Sequence, residues 1–334
     1  MKAKNLYRLL LVSSALVIAA IACQGTKSAP TPTSPPSTSV PPQATSAQAQ
    51  KSDVPAVLPL KALDTEGDVD SSSMATAKGV SGGDTFAQGL FERPFNANTM
   101  DKYFPYLDIV GIKGYKDDTW AYLEITLAAN DKDGKLPAQY AAELDTNKDG
   151  RGDFLIRASN PSTTSWSTQN VQAWKDTDGD VGGIIPMVAD AKPDGGDGYE
   201  TLIFDQGKGD TPDGAWVRVS PNDPKTVQFA IKLSMVGSPS SFAMGAWAAD
   251  KLDPSQFDYN DHMTHAQAGD PNQGYPQVYP IKELAEIDNS CRLAVGFVPT
   301  STVPGLCEIP QIQHSGIVAG PPPPPPPPPP PQIN

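Results

Sequence analysis

The stretch Val227-Gln228-Phe229-Ala230-Ile231-Lys232-Leu233 alternates large apolar side chains with Gln, Ala and Lys at a strict period of two. Successive side chains of a strand point to opposite faces, so this pattern predicts a strand with one buried face. Ala121, Leu123, Ile125 and Leu127 repeat it, with Trp120, Tyr122, Glu124 and Thr126 on the other face. Ala215, Val217 and Val219 do the same against Trp216 and Arg218. Further out, runs at 107–113, 138–145, 153–158, 199–204 and 242–249 have similar character and are separated by Gly, Asp, Asn and Pro. No comparable stretch sustains a helical stripe, and 281–287 allows at most a short helix. Eight or more strands with polar turns predict an all-β fold: an antiparallel β-sandwich, jelly-roll-like, with long loops.

The flanks of this region read differently. Lys2, Lys4 and Arg8 precede a short apolar run at 9–21, too short for a stable bilayer span but suited to a cleaved export signal. Its ending, Ala20-Ile21-Ala22-Cys23, resembles the lipobox of bacterial lipoproteins, departing from it at Ala20, where Leu is commoner. The resemblance implies that 1–22 is removed and that Cys23 carries a diacylglycerol, which would anchor the chain extracytoplasmically to the cell membrane or cell surface. An ordinary secreted protein is the competing reading. Residues 23–60 are mostly Ser, Thr, Pro, Ala and Gln and cannot bury enough apolar surface to order themselves, so they read as a tether. A lead-in at 61–89 precedes the expected sandwich at 90–252, a loop-rich extension at 253–310 and a polyproline tail at 311–334. The unbroken proline tract 321–331 would extend roughly 34 Å at about 3.1 Å per residue, as a spacer.

The chain has 25 basic and 38 acidic residues, and loss of Lys2, Lys4 and Arg8 takes the net charge from −13 to −16. That argues against nucleic acid as a partner, which requires Lys/Arg clusters. Of three cysteines, Cys23 is the lipidation candidate, and Cys291 and Cys307 remain to form a disulfide in an exported protein.

The sharpest chemical motif is Asp145-Thr-Asn147-Lys-Asp149-Gly150-Arg151-Gly-Asp153. Counting Asp145 as position one, oxygen side chains fall at one, three, five and nine, glycine at six, and Arg151 at seven, where a backbone carbonyl is the ligand. The spacing suits calcium, and the loop looks like those of dockerins, EF-hands and thrombospondin type 3 repeats. Ile156 replaces the EF-hand glutamate at position twelve, and flanking helices are missing. A plain Asp/Asn/Gly turn is the alternative. Asp176, Asp178 and Asp180 alternate in a second acidic loop with no later ligand in register, so a turn competes with a weaker metal site. The carboxylates at 194–197 and 205–213 read as solvated loops or distant ligands.

His262 and His265 stand near Asp258 and Asp261, but Pro254, Gly269 and Pro271 bracket them, and a hydrogen-bonded loop outweighs a metal site or a hydrolase centre there. No nucleophile elbow or phosphate loop is present, so catalysis is not the expectation. Trp120, Tyr122 and Trp216 alternate with core positions and are candidates for a sugar-stacking face, with Glu124 and Arg218 beside them. Trp166 and Trp174 lie in polar sequence and could border such a site. Leu107-Asp108-Ile109-Val110, Asp117-Asp118-Thr119-Trp120 and the strand ending at Asp145 resemble, in order, family 9 carbohydrate-binding modules and DOMON-like sandwiches. The resemblance implies a non-catalytic, calcium-stabilised module for carbohydrate. A structural or adhesive envelope lipoprotein engaging a protein partner is the second expectation, and a hydrolase the third.

Overall fold

The computed structural model describes residues 53–80, 83–181, 196–257, 259–270, 279–300 and 303–307. Cys23, the export signal, the tether up to residue 52, the proline tract and His314 lie outside the described residues.

Two antiparallel sheets face each other. One has five strands, in the order β1 (Asp64–Gly67), β3 (Ile109–Lys116), β4 (Trp120–Leu127), β10 (Thr226–Lys232) and β9 (Ala215–Val219). The other runs β2 (Glu92–Arg93), β12 (Ile287–Asn289), β11 (Phe242–Ala249), β5 (Gln139–Asp145), β6 (Phe154–Ser159), β7 (Val171–Lys175) and β8 (Thr201–Asp205), with β13 (Leu293–Val295) also paired to β11. The inward positions of the period-two runs meet between them: Leu123, Ile125, Phe229, Ile231, Tyr140 and Leu144 are all fully buried. The all-β sandwich is therefore present.

The alternation is less polar on its outer faces than the sequence implies, because both sheets are covered. Every residue of β11 is buried, since Phe86, Phe91, Tyr199, Phe257 and Tyr259 pack with Trp247 over the back of the larger sheet. The sandwich also exceeds the expected 90–252. Its strand β1 comes from the lead-in, and β12 and β13 come from the loop-rich extension. These strands are three or four residues long, too short to show a period. No helix forms at 281–287, where Ile287 instead opens β12. Val171–Lys175 is a strand rather than loop, so Trp174 belongs to a sheet. The α-helices among the described residues are single turns: α1 (Met74–Ala77), α2 (Tyr259–His262) and α3 (His265–Ala268).

Candidate functional site

The outer face of the five-stranded sheet carries a row of polar side chains, one from each of four strands. Lys113 pairs in register with Glu124, Glu124 with Gln228, and Gln228 with Arg218. Each is adjacent in sequence to an inward apolar residue, so the period that buries Ile112, Ile125, Val227 and Val217 also turns this row outward. The row is hydrogen-bonded end to end. Lys113 Nζ donates to Glu124 Oε1 at 2.8 Å, Gln228 Nε2 to Glu124 Oε2 at 2.7 Å, and Arg218 Nε to Gln228 Oε1 at 2.7 Å. The Arg218 guanidinium lies 4.2 Å from the ring centre of Trp166, within cation–π range. Partial burial pulls Arg218 below the usual arginine pKa, while the Glu124 hydrogen bond raises Lys113. Together with Leu58, Tyr115 and the turn at Asn222, the row lines a cavity of about 500 Å³.

The aromatic candidates divide. Trp120 and Tyr122 do lie on this face, but they are 5% and 0% exposed and offer no stacking surface. Leu58, Ala62, Trp166 and Trp216 pack over them and Tyr115. The covering segment is pinned by Trp166 Nε1 donating to the Ala56 carbonyl at 2.9 Å and by Lys232 bridging Asp53 and Asp213 at 3.1 and 2.7 Å. Trp216 is half-buried and its Nε1 donates to the Asp213 carbonyl at 3.1 Å. Trp174 lies on the opposite sheet, packed against the cluster behind it, and does not join the groove. Of the five, Trp166 borders the polar row through Arg218.

The loop from Asp145 to Asp153 closes the β5–β6 hairpin through its own hydrogen bonds. Asp145 accepts from the Lys148 and Gly150 amides at 2.5 and 2.9 Å, Asn147 from Asp149 at 2.8 Å, and Asp149 from Arg151 at 2.9 Å. Asp153 accepts from the Thr146 amide at 2.6 Å. Burial raises the Asp145 carboxyl above its ordinary range, against the pull of Arg292. Asp145, Asp149 and Asp153 are not among the described carboxylate groups that converge within 4.8 Å.

The second acidic loop does converge, with help the sequence did not mark. Asp176 and Asp178 meet Glu200, and Asp178 and Asp180 meet Asp197, each set with oxygens within 4.8 Å. Asp197 came from a stretch read as solvated or as distant ligands, and Glu200 carried no local signal. Only the return of the chain into β8 brings them to this loop. The Arg151 side chain, free of the hairpin, donates to the carbonyls of Gly179 and Val181 at 3.4 and 3.1 Å and so links the two loops.

His265 stacks edge-on against Phe86 at 5.1 Å and lies 3.8 Å from Asp270. His262 Nε2 is buried with no hydrogen-bond partner. Asp258 and the Asp261 side chain lie outside the described residues. Cys291 and Cys307 form a disulfide.

Fold and face together define an all-β sandwich with a polar groove on one sheet and acidic turns at its loops. No family model matches the chain, and comparisons with curated proteins and with solved structures found no match either.

Proposed function

We propose that this chain is a lipid-anchored, extracytoplasmic, calcium-stabilised binding module that takes carbohydrate, without catalysis, in the groove of its five-stranded sheet. The carrying observation is the register-locked row Lys113, Glu124, Gln228 and Arg218 beside Trp166. A sugar hydroxyl both donates and accepts, and the Lys113 ammonium, Glu124 carboxylate and Arg218 guanidinium, held in register by the buried Gln228, answer both needs at fixed spacing. The groove is large enough for a small saccharide. Trp120 and Tyr122, buried beneath Leu58 and Trp166, do not stack on the ligand under this reading.

Glycan-array screening followed by calorimetry tests it. A saccharide should bind, and Arg218→Ala or Glu124→Ala should weaken it by roughly tenfold or more, since each removes a charge-assisted hydrogen bond. Absence of any glycan signal, or variants that bind as well as the parent, would sink the proposal. The calcium part rests on the spacing of Asp145, Asn147, Asp149, Arg151 and Asp153; Asp149→Ala should reduce the stabilisation gained on adding calcium. The anchor rests on Cys23, where mass spectrometry of the mature N-terminus should find a diacylglycerol. Val54, Val57 and Leu60 are exposed along one segment, which favours the adhesive alternative of a protein partner; pull-down of an envelope protein lost on Leu60→Ser would support that reading instead.

A further inference from the structure

Glu92 on β2, Asp108 just before β3 and Asp288 on β12 each place a carboxylate oxygen within 4.8 Å of the other two. All three residues are at most 1% exposed. Asp68, one residue beyond β1, is close enough to repel them. The surrounding hydrogen bonds leave the group incomplete. Asp288 Oδ2 accepts from the Ile109 amide at 2.6 Å, Asp108 Oδ2 from the Ser71 amide at 3.0 Å and from Tyr103, and Glu92 Oε1 from Ser71 Oγ at 2.5 Å. Asp108 Oδ1, Asp288 Oδ1 and Asp68 Oδ2 are buried and have no partner.

Among the described residues, no Lys, Arg or His forms an ion pair with any of the four. The neighbouring Arg93 is taken up by Asp84 at 2.8 Å and by the Leu284 carbonyl at 3.2 Å. Buried carboxylates with neither counter-charge nor full hydrogen bonding are costly, and the cost grows with each like charge added. With protein alone around them, burial, and in smaller part the neighbouring carboxylates, push Asp108 up to about 6, Asp68 up to about 7 and Glu92 up to about 10.

The geometry points to a buried calcium site formed by Glu92, Asp108 and Asp288, with Asp68 at its edge. Oxygens bound about 2.4 Å from one ion stand at most about 4.8 Å apart, and one oxygen from each of the three carboxylates lies within that limit of the others. The donors are oxygen only, which suits a hard cation and disfavours the softer metals that take nitrogen and sulfur. Magnesium keeps much of its water, whereas calcium accepts a closed set of carboxylates. The site would bridge the sheets at their β1 and β2 edges: Asp68 and Asp108 flank strands of one sheet, and Glu92 and Asp288 belong to the other. It is separate from the hairpin at 145–153 and from the sugar groove, and does not depend on either.

The test is calorimetric titration of the metal-stripped, full exported chain with calcium chloride, with thermal melts in parallel. Calcium should bind and raise the melting temperature, and Glu92→Gln and Asp288→Asn should each lose one equivalent of bound calcium. Asp149→Ala and Asp178→Ala should retain that equivalent. In chelator, Asp288→Asn should melt close to the parent, because the asparagine oxygen can still accept from the Ile109 amide. Should the core variants not fold, Asp68→Asn at the edge should still lower calcium affinity by roughly tenfold or more. A parent chain that binds no calcium at millimolar concentration, or calcium binding unchanged in these variants, would overturn the site and leave the carboxyls as buried neutral acids.

Discussion

Asp205, the last residue of β8, shows how much one carboxylate can organise from the surface. Its Oδ2 accepts from Lys208 Nζ at 2.8 Å, and its Oδ1 from Gln206 and Gln172 at 3.0 and 3.2 Å. The Lys208 hydrogen bond, followed by those from the two glutamines, lowers its pKa from 3.8 to about 2. A folded value below the unfolded one means stability that is present in full above about pH 4 and lost as pH falls through about 2. Carboxyl carbon shifts followed by NMR should place the Asp205 midpoint near 2, and a midpoint near 3.8 would show these bonds are not held in solution. Residue-level legibility was uneven elsewhere. Trp120 and Tyr122 were assigned the correct face, because a period of two determines direction. Their cover was not readable, because Leu58 and Trp166 reach them from distant parts of the chain.

At the scale of an element, the loop closed by Cys291 and Cys307 braces the hairpin at 145–153. Arg292 donates to the Gly150 carbonyl at 2.6 Å and to Glu143 at 3.2 Å. Gly150 has φ +95°, and a Cβ there would meet Pro304 at 2.7 Å. Glycine at this position is therefore required by the turn and by the close approach of the disulfide loop. The bridge spans a sequence separation of 16. A loop of that size should contribute about 3 kcal/mol through the unfolded state. Urea denaturation with and without reductant should show that loss, and superimposable curves would refute it. The cysteine pairing was legible from their number, once Cys23 was set apart by its place after the apolar run at 9–21. The contact with Gly150 was not, since the motif alone accounts for glycine at position six.

For the whole molecule, the two sheets share one interior, and Phe229 stands fully buried within it on a strand paired on both sides. Phe229→Ala should cost about 3–5 kcal/mol, from lost burial and the cavity left behind, read as a lower urea midpoint with an unchanged slope. A loss under about 1 kcal/mol would mean that the sheets close over the gap. The sequence by itself determined the strands long enough to show alternation, the all-β class, the outward row of Glu124 and Arg218, and the disulfide partners. Local rules suffice for these, because side-chain direction in a strand depends on parity alone. Only the tertiary structure decided that β1, β12 and β13 complete the sheets, that Trp166 packs against Arg218 of the polar row, and that Asp197 and Glu200 join the second acidic loop. It also brought Glu92, Asp108 and Asp288 together from three separate segments. Carboxylates so far apart in sequence carry no spacing signal, and only the pairing of β2 with β12 and the packing of β3 against them bring their oxygens to one point.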